Sequence, residues 1–206
     1  MLPELLVHGG VMMWLLFLVG ATASAVFIER LLHYHREHIN SFDFINGVRT
    51  VLRRDNVVEA LSICDATAGP VPRLVKTAIL ARDLGRERIR EALTEAGLLE
   101  VPRLEEKLGL LATIGQTAPI MGLLGTVLGL IDLFQTLQTQ GVAAPAATLA
   151  GGVWQALVCS GAGLAIAIPA YAGYNYLVSR VRSIVLDMEK ASVEILHILT
   201  DPPAVS

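Results

Sequence analysis

Three long runs of the chain carry almost no charge: Leu5–Ile28, Leu108–Ile131 and Leu133–Ser179. About 20 consecutive apolar residues in a helix cross a hydrocarbon core roughly 30 Å thick. The first two runs each predict one crossing. The third is too long for one. Two would fit by length, but the polar run Gln135–Gln140 and Pro145 make its first part a turn, so one crossing is predicted. Elsewhere the pattern is helical and mixed. Over Ser41–Ala68, Phe44, Val48, Val51 and Leu52 are interleaved with Arg49, Arg53 and Arg54, predicting an amphipathic helix with Asn40 or Ser41 as N-cap. Gly69-Pro70-Val71-Pro72 predicts a break, followed by a helix from Arg73 to Ala81 and its continuation over Arg86–Leu99, where acids and bases recur at helical spacing. Glu100–Lys107 enters the second apolar run without a turn signal, predicting one long helix with Pro102 in its first turn. Leu177–Leu199 extends the third run inward through Val181, Ile184, Val185, Met188, Ile195, Leu196 and Leu199, until Asp201-Pro202-Pro203 ends it.

Charge sets the orientation. All 16 Lys and Arg residues lie between Arg30 and Lys107 or between Arg180 and Lys190. Basic residues mark cytoplasmic segments. The predicted fold is therefore an all-α membrane protein: three transmembrane helices, two of them extending far into the cytoplasm, and a helical cytoplasmic domain. The expected parts are a first transmembrane helix (1–29, N-terminus periplasmic), a cytoplasmic helical domain (30–107), a second transmembrane helix (108–137), a periplasmic loop (138–145), a third transmembrane helix (146–178), and a cytoplasmic C-terminal helix and tail (179–206). The first run lacks a basic n-region and a clean cleavage site, so it reads as an anchor rather than a signal peptide.

Composition adds little to this. The chain has 206 residues, is 53% hydrophobic and has a net charge of -3. Glu29–Lys107 carries as many acids as bases, which is a balanced soluble surface rather than a lipid-binding polybasic patch. No nucleic-acid partner is expected. Cys64 and Cys159 fall in different compartments and read as core fillers, not a disulfide. His8 and Trp14 sit near the outer end of the first span, and His33, Tyr34, His35 and His38 near its inner end. The histidine spacing does not put three imidazoles on one face, so no metal site and no cofactor is expected.

The candidate chemistry lies in the second and third spans. Ala118, Gly122, Gly125 and Gly129 form a stripe without bulk, Gly125-x-x-x-Gly129 being the small-residue motif that lets membrane helices approach closely. Pro119 and Pro169 are the obvious kinks of the two spans, and Gly161 and Gly163 are small residues of the third. These eight residues are candidates for helix packing or for contact with a partner helix. Thr126 and Ser160 lie near the middle of their spans, and two hydroxyls at matching depth are candidates for a polar lining. No Asp, Glu, Lys, Arg or His lies near mid-span, and Asp132 is read as a polar site at the outer end. A proton path through a membrane needs an ionisable group, so a partner would have to bring one.

The segment Ala118-Pro119-Ile120-Met121-Gly122-Leu123-Leu124-Gly125-Thr126-Val127-Leu128-Gly129-Leu130 resembles one signature of the ExbB/TolQ/MotA proton-channel family, on its ExbB/TolQ side. Gln155 to Ala170, followed by Tyr174-Asn175, resembles the other. The resemblance implies a pentamer in the bacterial inner membrane around an ExbD-like dimer of single-span partners whose Asp takes up and releases protons. The implied work is energising outer-membrane transport through a TonB-like protein, or envelope maintenance in TolQ-type systems. The family's pore threonines fall at Thr126 and Ser160. A Glu frequent in the family falls at Gln155, which cannot titrate; this departure leaves a non-conducting scaffold open as a competing reading, and H⁺ against Na⁺ undecided. An enzyme is not expected, because no nucleophile–base pair or ligand set lies in or near the spans. A transporter would call for inverted repeats, which are absent from the sequence.

Overall fold

The computed structural model describes residues 10–37, 41–141 and 145–200. His8, His38, Asn40 and Asp201-Pro202-Pro203 lie outside them, as does the side chain of His35. The described residues are helical apart from short connections, with no strand among them. The helices are α1 (Gly10–Glu37), α2 (Ser41–Leu52), α3 (Val57–Ala66), α4 (Pro70–Leu80), α5 (Arg86–Glu105), α6 (Leu108–Gln140) and α7 (Ala146–Thr200), with a 3-10 turn at Arg82–Leu84. The chain divides into two compact units. One holds Met1–Glu29 and Lys107–Tyr176, the other Arg30–Glu106 and Leu177–Ser206.

The first unit packs α1, α6 and the first part of α7 through small side chains. Gly20 of α1 faces Ile166 of α7, Gly173 of α7 faces Phe27 of α1, and Met12 reaches Gly125 of α6. Its outer surface is apolar: Val11, Phe17, Leu18, Ile120, Leu123, Phe134, Leu157 and Ile168 are mostly exposed. Such a surface suits lipid or another apolar helix, not water. Hydroxyls on the outer faces bond back to their own helices, Thr22 to the Leu18 carbonyl at 2.8 Å, Ser24 to Gly20 at 2.9 Å and Thr113 to Gly109 at 2.8 Å. Each donor is thereby satisfied without water. Three helices are long and apolar enough to cross a membrane.

The second unit has a core of the ordinary soluble kind. Val48, Val75, Ile79, Ile89, Leu104, Leu177 and Ile195 are fully buried. Along α7, Leu177, Val181, Ile184, Met188, Ala191 and Ile195 recur every three or four residues, which keeps one face in that core. Buried Glu100 accepts from Arg73 (2.8 Å) and Arg103 (3.0 Å). Tyr34 donates to the Leu104 carbonyl at 2.5 Å, occupying one of the last acceptors of α5. Arg30, itself buried, pairs with Glu106 at 3.2 Å.

Several boundaries differ from those the sequence predicts. The helix expected over Ser41–Ala68 is two. The first ends at Leu52, ahead of a turn in which Asp55 takes a left-handed φ of 53°, and Asn56 starts the second: its side chain accepts from the Glu59 amide at 3.3 Å and donates to the Glu59 carboxylate at 2.7 Å. The helix expected at Arg73 begins at Pro70, because Gly69 (φ 129°) makes the turn and prolines in a first turn have no amide hydrogen to waste. The single helix expected through Glu100–Lys107 is broken: Glu106 is extended and Lys107 takes a left-handed φ of 63°. Lys107 also pairs with Glu29. Pro102 thus lies in the last turn of α5, not the first turn of a new helix. Finally, α6 runs through Gln138–Gln140, residues expected in the loop, and ends at Gly141 (φ 62°). Its threonines bond back to the helix, Thr136 to the Asp132 carbonyl at 3.0 Å, which lets a polar run stay helical.

Candidate functional site

The site is built on the seam between α6 and α7 in the first unit. The small stripe of α6 does not lie open; it meets a second small stripe, Ala156, Cys159, Ser160 and Gly163, on α7. A β-carbon on Gly125 would stand 2.6 Å from Cys159 Cβ, one on Gly122 2.9 Å from the Cys159 carbonyl oxygen, and one on Gly163 2.6 Å from the Ala118 carbonyl oxygen. Gly129 lies against Ala156 in the same way, at 3.2 Å. The approaches at Gly122, Gly125 and Gly163 require the hydrogen side chain of glycine, and the gain is van der Waals contact between backbones. Ala118, Gly122, Gly125, Gly129 and Gly163 therefore pack the subunit internally. Of the stripe on α7 the sequence singled out Gly163 and Ser160 but not Ala156 or Cys159; the signal was the recurrence of Ala156, Cys159 or Ser160, and Gly163 at i, i+3/i+4, i+7.

At one margin of this seam stand Thr126 and Ser160, both half-buried. Their hydroxyl oxygens are 2.6 Å apart. Thr126 Oγ1 is also 3.1 Å from the Gly122 carbonyl and 3.3 Å from the Ala156 carbonyl. Two hydroxyl protons serve these contacts. With Ser160 donating to Thr126 and Thr126 donating to a carbonyl, both are used, and Ser160 Oγ keeps lone pairs for an outside donor. With Thr126 donating to Ser160, the Ser160 proton is free for an outside acceptor. The pair can thus present either polarity without changing charge.

The other candidates are dispersed. Gln155 precedes Ser160 by five residues, about 140° around the helix, so it does not share the Thr126–Ser160 face. Pro169 lies about 180° from Ser160 and is exposed on the side of α1. Gly161 meets nothing within 4 Å and faces open space. Pro119 is half-buried. Asp132 is exposed, about 120° around α6 from Thr126, and its carbonyl accepts from Thr136.

Residues 67–190 match the family model described as the MotA/TolQ/ExbB proton channel family. The chain belongs to that family. The match contains the whole α6–α7 seam and so every residue of the candidate site. Among curated relatives, a putative ExbB homolog of Methanothermobacter thermautotrophicus is 28% identical over 96% of this chain and 68% of its own length. A putative ExbB-like protein of Synechocystis sp. is 32% identical over 86% of this chain and 72% of its own. TolQ of Pseudomonas aeruginosa is 40% identical over 48% of this chain, but that stretch is only 42% of TolQ. A solved structure of C. jejuni MotAB shares the fold, with a TM-score of 0.66 at 19% identity over 91% of this chain and 83% of that one. With three apolar helices of spanning length, this member of the MotA/TolQ/ExbB family is a multi-pass membrane protein.

Proposed function

We propose that this chain is the wall subunit of a proton-driven motor: a pentamer in the inner membrane, N-terminus periplasmic and C-terminus cytoplasmic, around an ExbD-like dimer of single-span partners. The observation that carries the reading is the Thr126–Ser160 pair, two hydroxyls within 2.6 Å at one margin of a seam whose spans hold no mid-span acid or base. A hydroxyl pair that can donate or accept suits a carboxyl that is protonated in one step and ionised in the next. The partner supplies that carboxyl, and this chain holds a polar, uncharged surface against it. One charge moved through 100 mV is worth about 2.3 kcal/mol, so several protons drive each rearrangement.

The work is energising of TonB-dependent outer-membrane transport, in line with the relatives named for ExbB. TolQ-like envelope maintenance is the second reading, favoured by the TolQ match, which is as strong locally as the 40% identity over 100 residues to ExbB of Xanthomonas campestris. The test is proton flux into liposomes. Flux is expected with a co-expressed single-span partner and absent without it. Rapid flux from this chain alone, or none with any such partner, overturns the motor reading and favours a scaffold.

A further inference from the structure

A second feature of the membrane-spanning unit lies outside the site. Between α1 and α7, with Leu111 of α6 at its floor, runs an open groove of about 500 Å³. Its walls are small: Gly20, Ala21 and Ser24 on α1, Ala165 and Ala170 on α7. Phe17 and Phe27 stand at its two ends, ten residues apart on α1 and so about 15 Å along the axis. The one hydroxyl in it, Ser24, already donates to the Gly20 carbonyl at 2.9 Å, so the groove offers no spare donor. Past its Phe27 end, in the same unit, stands the ion pair of Lys107 and Glu29, both partly exposed.

We infer that this groove holds one acyl chain of a membrane phospholipid, with the head group at the Glu29–Lys107 end. The chemistry favours that occupant over others. An extended peptide or a polar solute would leave its own hydrogen-bonding groups unpaired against these walls. An acyl chain needs only apolar contact. The polar Glu29–Lys107 ion pair stands at one end and only apolar side chains at the other, which gives the lipid a direction.

The test uses the full-length protein in phosphatidylethanolamine–phosphatidylglycerol vesicles containing phospholipid with a photoreactive diazirine in one chain. With the diazirine near the carboxyl end of the chain, labelling is expected at Phe27 and Ala170; near the methyl end, at Phe17 and Ala165. Filling the groove with Ala21→Leu plus Ala165→Leu should cut this labelling several-fold and leave labelling at Phe134, on the exposed face of α6, unchanged. Both positions are exposed, so the fold survives, as an unchanged elution volume will verify. Equal labelling of the groove and of Phe134 in the wild type, or the reverse depth order, overturns the proposal. So does a photo-crosslink from a diazirine amino acid at Ser24 to a second copy of the chain in native membranes, which would put a neighbouring subunit in the groove. None of these readouts involves proton flux, so the inference stands or falls apart from the motor reading.

Discussion

At the scale of single residues, glycine positions divide into two kinds that mutation will separate. Gly125 touches Cys159 so closely that Gly125→Leu cannot be accommodated without moving α6 from α7. The cost is that of overpacking, about 1–3 kcal/mol or more, and the expected outcome is loss of folded, assembled protein. Gly161 has open space beside it, so Gly161→Leu is expected to leave the subunit folded and assembled while reducing flux, if that face meets the partner helix. Size-exclusion profiles and liposome flux, measured together, read both. For the hydroxyl pair, Thr126→Val with Ser160→Ala should abolish flux. Thr126→Ser, which keeps the oxygen, should retain most of it. Full flux in the double variant would rule out the pair as a lining.

At the scale of elements, the second unit depends on how its helices are pinned. Glu100 of α5 is buried between Arg73 of α4 and Arg103 of its own helix. Both arginines are about half or more exposed, which discounts their attraction. Glu100→Ala still removes the carboxylate that both arginines share, and about 2 kcal/mol of stability should be lost, visible as a lower midpoint in thermal unfolding of the detergent-solubilised protein. Cys64 of α3 gives a pH signature. Burial, reinforced by the Asp65 charge and opposed by Lys76, raises its thiol from 9.0 to about 11. The folded state therefore holds the proton more tightly than the unfolded chain. Its contribution is constant below about pH 9 and is lost as pH rises from there toward 11. Maleimide modification of Cys64 should stay slow through pH 9 and accelerate above it; rapid modification at pH 7 would contradict the burial.

At the scale of the whole molecule, the charge pattern and the apolar runs make one statement about topology. Every Lys and Arg lies on the side assigned to the cytoplasm. Cysteines introduced at Arg86 and at Gln138 in a background lacking Cys64 and Cys159 should respond oppositely to a membrane-impermeant thiol reagent on intact cells: Gln138 labelled, Arg86 protected. Labelling at Arg86 would invert the topology and take the motor reading with it.

The three spans, the helical class and the family were legible in the sequence, because a bilayer imposes length and hydropathy on any segment that crosses it, whatever its neighbours. The periodic burial of Leu177–Ile195 was legible too, since a helix has one face to bury. Helix ends were less so. The break at Glu106–Lys107 carries no glycine, and the split at Asn56 depends on a cap that forms only once Glu59 turns toward it. The partner of the glycine stripe was decided by tertiary structure alone. A row of small residues says that some backbone comes close, but not which one, and here it is α7 of the same chain. The pairing of Thr126 with Ser160, 34 residues away, follows from that choice. Spacing along a sequence fixes a side chain's angle on its own helix, while the identity of what it touches is set by the helix packed against it.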